Sequence, residues 1–598
     1  MKNQKIKAIW DIECYTNYFL VMFLNPITGK TISFEMYNDS EVNRRRALAF
    51  VRRHTLIGFN SSNYDDVMLS AFLHGHTNKQ LKELSDELVT SGRNIWDIKR
   101  DLPFQLHEFD SIDIAEPAPG VMVSLKLYGA RIHTKKLQDL PLDPSTTIQD
   151  EHLDLMRLYC HNDLTLTSEL YSAIEHEIVL RERMSAEYGQ DLRSKGGAQV
   201  ATAVLRHYLG EKGIDTNRPT LKKGVSFKYK IPAHISFKSA EMKAVLEIVR
   251  AATFTVEDSG KVKMPAELVK PIPFRNAVYK FGIGGLHSQE KAQTIIAAKD
   301  ELLFERDVAS MYPNLIIREK LFPEHLGEDF LNIYGDLIKR RMVAKRSGDG
   351  ETSDSLKLVL NSSFGLFGSK YSFLYSPNLM IGVTITGQLS LLMLIERVTD
   401  IEGVRVVSAN TDGVVILCSK EQYQEVDDVC FAWELDTGLE LEENAYRSIH
   451  SASVNSYFAI TTNGKVKTKG SYGVGGLSKN PNAIISTQAA IGYVLNGADI
   501  EKTIHDCTNI DLFAVSRTVN GGAVDSNDAP VGKVVRWYYG LDVIEPLRYA
   551  RNGNKVPMSE GAVPILDTPE QLPGDIDYIH YINLAKERLK DAGYQNTN

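Results

Sequence analysis

The sequence contains little cysteine: five residues in 598, with no CxxC pair and no metal-ligand spacing. A disulfide framework is therefore not expected, and free thiols suit a reducing cytosol. The N-terminal stretch MKNQKIKAIWDIE lacks the apolar core of a signal peptide, and no run of about 20 consecutive apolar residues is present to span a bilayer. These absences predict a cytoplasmic protein with no membrane partner.

An excess of positive charge is also missing, since the formal net charge is −8 at pH 7. A surface that tracks phosphates usually carries extra Lys and Arg, so the net charge does not point to nucleic acid. Basic clusters nevertheless occur at 339–346 (KRRMVAKR) and 465–469 (KVKTK). A basic channel is compatible with acidic outer faces, but each cluster taken singly favours a solvated helix face or strand edge.

The order of predicted elements points to several domains, which a chain of this length requires. Residues 1 to about 175 alternate strand and helix patterns, and mixed polar residues then lead to the Gly-rich FGIGGLHS at 281–288. From about residue 300 a strand, a helical pair over about 325–365, another helix and a hairpin follow. After residue 480 the pattern predicts mainly helix. The fold class expected is α/β and α+β, multidomain.

The predicted hairpin is SANTDGVVIL, residues 408 to 417. Asp-Gly between β-forming runs is a strong turn signal, because such turns need positive φ. A purely structural turn is therefore the first interpretation of Asp412, which would lie at the tip.

Carboxylates near the N-terminus form a first candidate site. Asp11 and Glu13 are two residues apart on a predicted strand, so both side chains project from the same face. Two carboxylates on one face are tolerated at a solvated edge or around a cation such as Mg²⁺. Asp65 falls at a predicted helix start, where it could equally be an N-cap. Tyr159 and Asp163 are four apart and share one helix face, either converging on one water or facing solvent.

In their order along the chain these residues resemble the three exonuclease motifs of proofreading DNA polymerases. The motifs read DxE, N-x3-Y-D and Y-x3-D, and they comprise Asp11, Glu13, Asn60, Tyr64, Asp65, Tyr159 and Asp163. The resemblance implies a ribonuclease-H-like (DnaQ-like) fold in which the four acids hold two Mg²⁺ ions. One ion would generate the attacking hydroxide and the other would stabilise the leaving 3′ oxygen. Tyr159 would position the water, and Asn60 and Tyr64 would contact DNA.

A second group of residues follows the strand LLFERDV, which ends at an acid. An acid at the end of a strand either points into a cleft or caps a helix. The segment DVASMYPN resembles motif A of the family-B DNA polymerases, whose pattern is D-x-x-S-L-Y-P-S. Met311 and Asn314 depart from that pattern. The resemblance implies that Asp307 is a catalytic metal ligand and that Ser310 and Tyr312 bind the nucleotide. The Tyr312 ring would lie under the sugar and clash with a 2′-hydroxyl.

In KLVLNSSFG, Lys357, Asn361 and Phe364 lie at i, i+4 and i+7 of a predicted helix. A core-facing stripe would not normally carry Lys and Asn, although a helix with one wet face gives the same pattern. The segment resembles motif B, K-x3-N-S-x-Y-G, with Phe364 in place of Tyr. By resemblance Lys357 grips the triphosphate, and Asn361 and Phe364 line the nascent base pair.

The hairpin stands where family B carries motif C, usually D-T-D-S, and it reads Asn410-Thr411-Asp412-Gly413. By resemblance Asp412 is a metal ligand beside Asp307 in two-metal phosphoryl transfer. Asn410 replaces a supporting acid and removes one negative charge.

Downstream, VNSYFAI and KVKTKG resemble the region where family-B enzymes hold the primer end, typically K-x-Y. Tyr457 matches the pattern, whereas Asn455 stands in place of the Lys. Lys467 and Lys469 would contact the DNA backbone, although an exposed ribbon with alternating Lys reads the same way.

The resemblance covers most of the chain and identifies it as similar to small, phage-like family-B DNA polymerases with a 3′–5′ proofreading exonuclease. It implies two Mg²⁺ ions at each site, with Mn²⁺ as a substitute. The implied partners are primer–template DNA, dNTPs and replication accessory proteins, in the host cytoplasm if a phage encodes the chain. The predicted domains are 1–185, exonuclease; 186–300, connecting region; 301–320, palm with motif A; 321–368, fingers with motif B; 369–480, palm with motif C; and 481–598, thumb.

Two other functions stay open. Overall size suggests a protein-primed replicase, but the short gaps between motifs A, B and C leave little room for the insertions that protein priming uses, so a nucleic-acid primer is expected. Asn410 and Gly413 suggest instead an exonuclease whose polymerase half has decayed into a DNA-binding module.

Overall fold

The computed structural model describes residues 5–120, 123–220, 223–541, 543 and 545–595. The predicted mixed α/β, multidomain class is confirmed, and the chain forms two compact units. Unit 1 comprises Met1–Gly196, Val474–Ser486 and Ile504–Tyr581, and unit 2 comprises Gly197–Gly473, Thr487–Thr503 and Ile582–Asn598.

Unit 1 begins with a five-stranded sheet in the order β3-β2-β1-β4-β5, in which β1 is antiparallel to β2 and parallel to β4. Its strands are β1 (Ile6–Tyr15), β2 (Tyr18–Leu24), β3 (Thr31–Tyr37), β4 (His54–Gly58) and β5 (Ser111–Asp113). Its helices are α1 (Arg44–Arg53), α2 (Asp65–Leu73), α3 (Asn78–Thr90), α4 (Ile95–Asp101), α5 (Leu125–Arg131) and the 36-residue α6 (Leu153–Tyr188).

The sheet of unit 1 has an apolar core on each face. Along β1, Trp10 and Ile12 enter the core that α2 and α3 cover, whereas Ile9 and Tyr15 enter the core formed with α6. Because strand side chains alternate between faces, Asp11 and Glu13 belong to the α6 side. The period of β1 thus directs both carboxylates toward the helix that carries the last predicted acid.

Unit 2 is built on a ten-stranded sheet whose main path is β18-β17-β16-β13-β15-β14-β11-β10-β9, with β12 paired to β16. A separate three-stranded sheet has the order β6-β7-β8. The strands are β6 (Ser226–Phe227), β7 (Phe254–Val256), β8 (Val262–Lys263), β9 (Ile272–Phe274), β10 (Ala277–Lys280), β11 (Leu286–Ser288), β12 (Gln293–Ile296), β13 (Glu301–Val308), β14 (Arg405–Thr411), β15 (Gly413–Ser419), β16 (Leu441–Ser453), β17 (Ser456–Thr461) and β18 (Val466–Lys469).

The helices of unit 2 include the predicted pair, which the structure confirms as α10 and α11. Their bounds are α7 (Gly197–Glu211), α8 (Ala240–Ala251), α9 (Met311–Arg318), α10 (Asp329–Ser347), α11 (Gly350–Phe367), α12 (Pro377–Thr399) and α13 (Tyr423–Thr437). Among the described helices, α12 alone is long and apolar enough to cross a membrane. Most of it is buried inside the protein, which is typical of a core helix, so it is weak evidence for a membrane segment.

The C-terminal region departs from the prediction of mainly helix after residue 480. It contains α14 (Ile484–Asn496), α15 (Ile500–His505), α16 (Ile510–Phe513), β19 (Val515–Val524), β20 (Pro530–Tyr539), β21 (Arg548–Tyr549), β22 (Ala562–Pro564) and α17 (Tyr578–Asp591). The four strands form a sheet in the order β21-β19-β20-β22, within unit 1. The β-branched and aromatic residues of GKVVRWYYG, which favour strands, decide the structure here.

Candidate active sites

Four predicted acids of unit 1 come together from three elements, and we call them the unit 1 acid site. Asp11 and Glu13 project from β1, Asp65 begins α2, and Asp163 lies in the middle of α6. The helix cap residue is Tyr64 and not Asp65, so the N-cap alternative for Asp65 is wrong. Asp163 is buried, which excludes the solvent-facing alternative.

Burial dominates the electrostatics of the unit 1 acid site. It raises the pKa of Asp11 to about 7, with the charge of Asp163 adding to the shift. The pKa values of Glu13 and Asp65 are raised well above their usual range, first by burial and then by the charge of Asp11. The pKa of Asp163 is also raised by burial. Carboxylates held together in this way are costly unless a cation joins them.

Lys126 on α5 is the cation next to this site, and the sequence pattern did not single it out. Its ammonium group forms an ion pair with Asp163 and lies 4.8 Å from the centre of the Tyr159 ring. Since one lysine contacts both, Tyr159 and Asp163 share a helix face as predicted. The positive charge opposes the rise in the pKa of Asp163. A lone lysine in SLKLYGA gives no sequence signal that separates it from a surface residue.

The predicted DNA-contacting residues of unit 1 lie on the loop before α2. Asn60 is exposed in a left-handed conformation, and its backbone N–H donates to Asp113 at 2.7 Å. Asp113 also accepts from the Ser62 N–H at 3.1 Å, so this acid shapes the loop. The Tyr64 hydroxyl is hydrogen-bonded to Ser85 at 2.8 Å. Contact of Asn60 and Tyr64 with DNA stays a prediction.

The donor set of the unit 1 acid site fits a hard divalent cation. One carboxylate oxygen each from Asp11 and Glu13 and the Cys160 sulfur lie within 4.8 Å of one another. The described side chains supply four carboxyl groups, and oxygen ligands of this kind are those that Mg²⁺ and Mn²⁺ prefer. The residues therefore fit the predicted metal site.

Asp307 and Asp412, the acids of the predicted motifs A and C, line one cavity of about 280 Å³ in unit 2, which we call the unit 2 cavity. Strand β13 lies between β15 and β16 and pairs with both. In the pairing with β15, Asp307 is opposite Gly413. The Val308 N–H donates to the Asp412 carbonyl at 2.8 Å. Backbone pairing thus fixes the two acids side by side.

The turn that carries Asp412 differs from the predicted one. Positive φ falls on Thr411, at 60°, and not on Gly413. The Asp412 N–H donates to the Asn410 carbonyl at 2.7 Å, so the turn is centred on Thr411, where a β-branched residue with positive φ is strained. Gly413 leaves space for Asp307: a Cβ there would come within 2.9 Å of an Asp307 carboxylate oxygen, which would then have to shift.

A third carboxylate, Glu305, lines the unit 2 cavity and was missed by the sequence analysis. It accepts hydrogen bonds from the Tyr446 hydroxyl at 2.6 Å and from the Lys467 ammonium at 2.7 Å. Glu305 and Asp307 are two apart on β13, the same strand spacing as in DxE, and this period-two signal could have identified Glu305. The Lys467 ammonium thereby lines the cavity, while its side chain is 45% exposed on the edge strand β18, as the exposed-ribbon interpretation also predicts.

Burial also raises the pKa of the acids in the unit 2 cavity. The pKa of Asp307 rises to about 7, through burial and then the charges of Asp412 and Glu305. Burial raises the pKa of Asp412 as well, and the charges of Lys467 and Lys469 oppose that rise. Paired carboxylates with raised pKa values fit a divalent cation, as in unit 1. The predicted contact residues Tyr457 and Lys469 line the same cavity.

The predicted nucleotide-binding residues occupy α9 and α11. The rings of Tyr312 and Phe364 are stacked, with centroids 4.4 Å apart. Lys357 and Asn361 are exposed on α11, which either a nucleotide site or one wet helix face would produce. Ser310 precedes α9 in a left-handed conformation, and its hydroxyl accepts a hydrogen bond from Arg341 of α10 at 3.0 Å. Arg341 belongs to the basic cluster 339–346 but was not predicted individually.

No family model and no curated protein matches the chain. Among solved structures, it is similar to the family B DNA polymerase from the hyperthermophilic archaeon Pyrobaculum calidifontis. The sequence identity is 15%, the TM-score is 0.41, and the alignment covers 99% of this chain and 78% of that chain. A similarity of this size does not define a function.

The raised pKa values predict how metal and pH act together on stability. The folded protein holds protons on Asp11 and Asp307 up to about pH 7, whereas the unfolded chain releases them near their ordinary value of 3.8. The folded state therefore binds more protons in this window, and the free energy of unfolding contributed by these groups falls as pH rises from about 4 to about 7. Without divalent cations the melting temperature should fall across this window.

Added Mn²⁺ should then raise the melting temperature by a few degrees at pH 7.5. At pH 5 it should leave the melting temperature unchanged, because protonated carboxyl groups do not bind Mn²⁺. Differential scanning calorimetry with EDTA or MnCl₂ measures the effect. The double variant Asp11→Asn, Asp307→Asn serves as the control and should lose most of the Mn²⁺ response. An equal response at both pH values would contradict the prediction.

Proposed function

We propose that the chain is a template-directed, family-B DNA polymerase that also proofreads with a 3′–5′ exonuclease. The observation that carries the proposal is the meeting of Asp307 and Asp412, from two distant segments, in one cavity with Lys467, Lys469 and Tyr457. A cavity lined by paired acids together with lysines suits a phosphodiester backbone and its metal ions. The domains predicted from the sequence remain the proposal, with the acids for synthesis in unit 2 and those for proofreading in unit 1, although residues 504–581 of the predicted thumb belong to unit 1.

In unit 2 the chain's own residues would bind and orient the two substrates. Asp307 and Asp412 would hold two divalent cations, which when bound would activate the primer 3′-hydroxyl and neutralise charge on the triphosphate. Lys357 would contact the triphosphate from the exposed side of α11. The Tyr312 ring, stacked on Phe364, would form a flat floor under the incoming sugar and base.

The lysines of the unit 2 cavity would hold the primer strand. Lys467 is already fixed by Glu305 and Tyr446, so little side-chain entropy would be lost when it meets a phosphate. Tyr457 and Lys469 are paired across β17 and β18, which places them together beside the acids. The primer end would thus be oriented by residues that the sheet holds rigidly.

In unit 1 the chain's own residues would likewise bind and orient a frayed 3′ end of the DNA, and cations would supply the chemistry. Asp11, Glu13, Asp65 and Asp163 would hold the cations that make a nucleophile from water and stabilise the leaving oxygen. Tyr159 would orient the attacked phosphate or the water through its hydroxyl. Lys126, paired with Asp163, would keep that carboxylate charged and in place before the cations bind.

Primer extension with a labelled primer on a longer template tests the proposal, with and without dNTPs. The chain should lengthen the primer when dNTPs and Mg²⁺ are present and shorten it from the 3′ end when dNTPs are left out. Degradation without any extension would favour the decayed-polymerase alternative. Transfer of a nucleotide onto a protein hydroxyl, without a nucleic-acid primer, would favour protein priming.

Tyr312 should exclude ribonucleotides. Replacing it with Ala removes the ring that would clash with a 2′-hydroxyl, so the ratio of kcat/KM for dNTP over rNTP should fall by about 100-fold or more. Single-nucleotide incorporation of dCTP and CTP measures the ratio. Tyr312→Phe keeps the ring and is the matched control, which should retain discrimination. Unchanged discrimination in the Ala variant would remove Tyr312 from the sugar site.

A further inference from the structure

The two residues that depart most from the family-B pattern contact each other. Asn410 stands where motif C has an acid, and Asn455 stands where the primer-binding pattern has a Lys. In the structure the Asn410 side-chain nitrogen donates to the Asn455 side-chain oxygen at 3.2 Å. The two departures therefore meet in one amide–amide hydrogen bond, at positions where the family pattern has an acid and a base.

The orientation of the Asn410 amide follows from a third group. Its nitrogen also donates to the Val454 carbonyl at 3.2 Å, and a carbonyl can only accept. The Asn410 oxygen is then left to accept from the Thr411 hydroxyl at 3.2 Å. All the bonding capacity of the NH₂ group is used, and the oxygen is directed at the residue with the strained backbone.

This amide supports the turn that carries Asp412. Thr411 has positive φ, a conformation that costs free energy in a β-branched residue and persists only when its surroundings hold it. Asn410 binds its hydroxyl on one side, and on the other side Gly285 packs so closely that a Cβ there would come within 2.8 Å of Thr411. The turn is therefore held on both sides, and Asp412 is held with it.

We infer that Asn410 is a positioning residue for Asp412 and that Asn455 is its required partner, so that an acid at 410 works only with a base at 455. The inference rests on the proposed function of the unit 2 cavity. An Asp at 410 would lose both donated bonds and set a charged oxygen against the Val454 carbonyl. An ammonium at 455 could donate to that new carboxylate and to the carbonyl, and it would restore both bonds and the charge balance.

The experiment compares four forms of the full chain: wild type, Asn410→Asp, Asn455→Lys and the double variant. Single-nucleotide incorporation gives kcat and the KM for dNTP. We expect Asn410→Asp to lower kcat by about 10- to 100-fold with little change in KM, because the Asp412 turn moves while α11 does not. The double variant should recover kcat to within about threefold of wild type, which measures the coupling of the pair.

Three further measurements keep the outcome clear. Asn463→Asp makes the same change in an exposed turn between β17 and β18, where the side-chain oxygen only accepts, and it should leave kcat unchanged. Exonuclease activity and the melting temperature of each variant show whether the chain is folded. A variant with lowered kcat but normal exonuclease activity and melting temperature has lost positioning and not folding.

Asn410→Asp at or above the wild-type kcat would overturn the inference, and so would a double variant no faster than the single one. A raised KM with unchanged kcat would also overturn it, because Asn410 would then serve nucleotide binding. If wild type extends no primer at all, the proposed function fails and the inference with it, a result recognised before any variant is compared.

Discussion

The Asp307→Asn variant is expected to lose primer extension by about a thousandfold or more while it degrades DNA at close to the wild-type rate. The substitution keeps the size of the side chain but removes one of the two negative charges that would hold the cations in the unit 2 cavity. Asp307 lies on β13, between β15 and β16, and shares the cavity with Glu305, whose carboxylate is already bonded to Tyr446 and Lys467. Asp412→Asn should behave alike.

The matched control for this variant is Asp300→Asn, an exposed acid just before the other end of β13. This control replaces a carboxylate with an amide beside the same strand, and it should leave the rate of primer extension within about twofold of wild type. Steady-state extension of a labelled primer at saturating dNTP measures both variants. If Asp307→Asn still extends primers near the wild-type rate, the assignment of Asp307 to the metal site is wrong.

The Asp11→Asn variant should show the opposite pattern, with 3′–5′ degradation reduced by about a thousandfold or more and synthesis retained. Asp11 carries the charge that most strongly raises the pKa values of Glu13 and Asp65 after burial, so it lies at the centre of the unit 1 acid site. Without it the remaining carboxyls would be easier to ionise but would lack a shared oxygen ligand for the cations.

Degradation of a single-stranded oligonucleotide, without dNTPs, measures this loss. Asp154→Asn is the control, because its side chain is 88% exposed on α6, the helix that also carries Asp163. A second readout is the error rate in synthesis, which should rise for Asp11→Asn only. Retained degradation in this variant, or its loss in the control, would contradict the assignment. Because each major variant keeps one activity, each is also a folding control for the other.

Several parts of the molecule could be predicted from the sequence because they depend on local periodicity. Alternation along a strand determines that Asp11 and Glu13 share a face, and helical spacing does the same for Tyr159 and Asp163. The helical pair α10 and α11 also follows from local pattern. In each case the side-chain direction is set by neighbours a few residues away, so it can be read without knowing the fold.

The local sequence pattern predicts secondary structure less reliably where the same residues can form either of two structures, such as a turn or a strand. An Asp-Gly pair predicts a turn with positive φ at the pair, yet the strained residue is Thr411, since β13 pairing places Gly413 in a strand beside Asp307. The region after residue 480 likewise forms β19 and β20 where helix was expected. A sheet partner that is remote in sequence decides the first case, and the strand-forming residues of β19 and β20 themselves decide the second.

The motifs predict six acids, the rings of Tyr312 and Phe364 and three lysines as candidate functional groups, and they give the order of these groups along the chain. The groups that surround these residues depend on folded contacts: Lys126 pairs with Asp163, Glu305 pairs with Lys467, and Asn410 is hydrogen-bonded to Asn455. Each of these pairs joins segments that are far apart in the chain, and no periodicity relates their positions. Charge compensation and positioning are therefore properties of the folded contacts, whereas the candidate reactive groups can be predicted from the motifs.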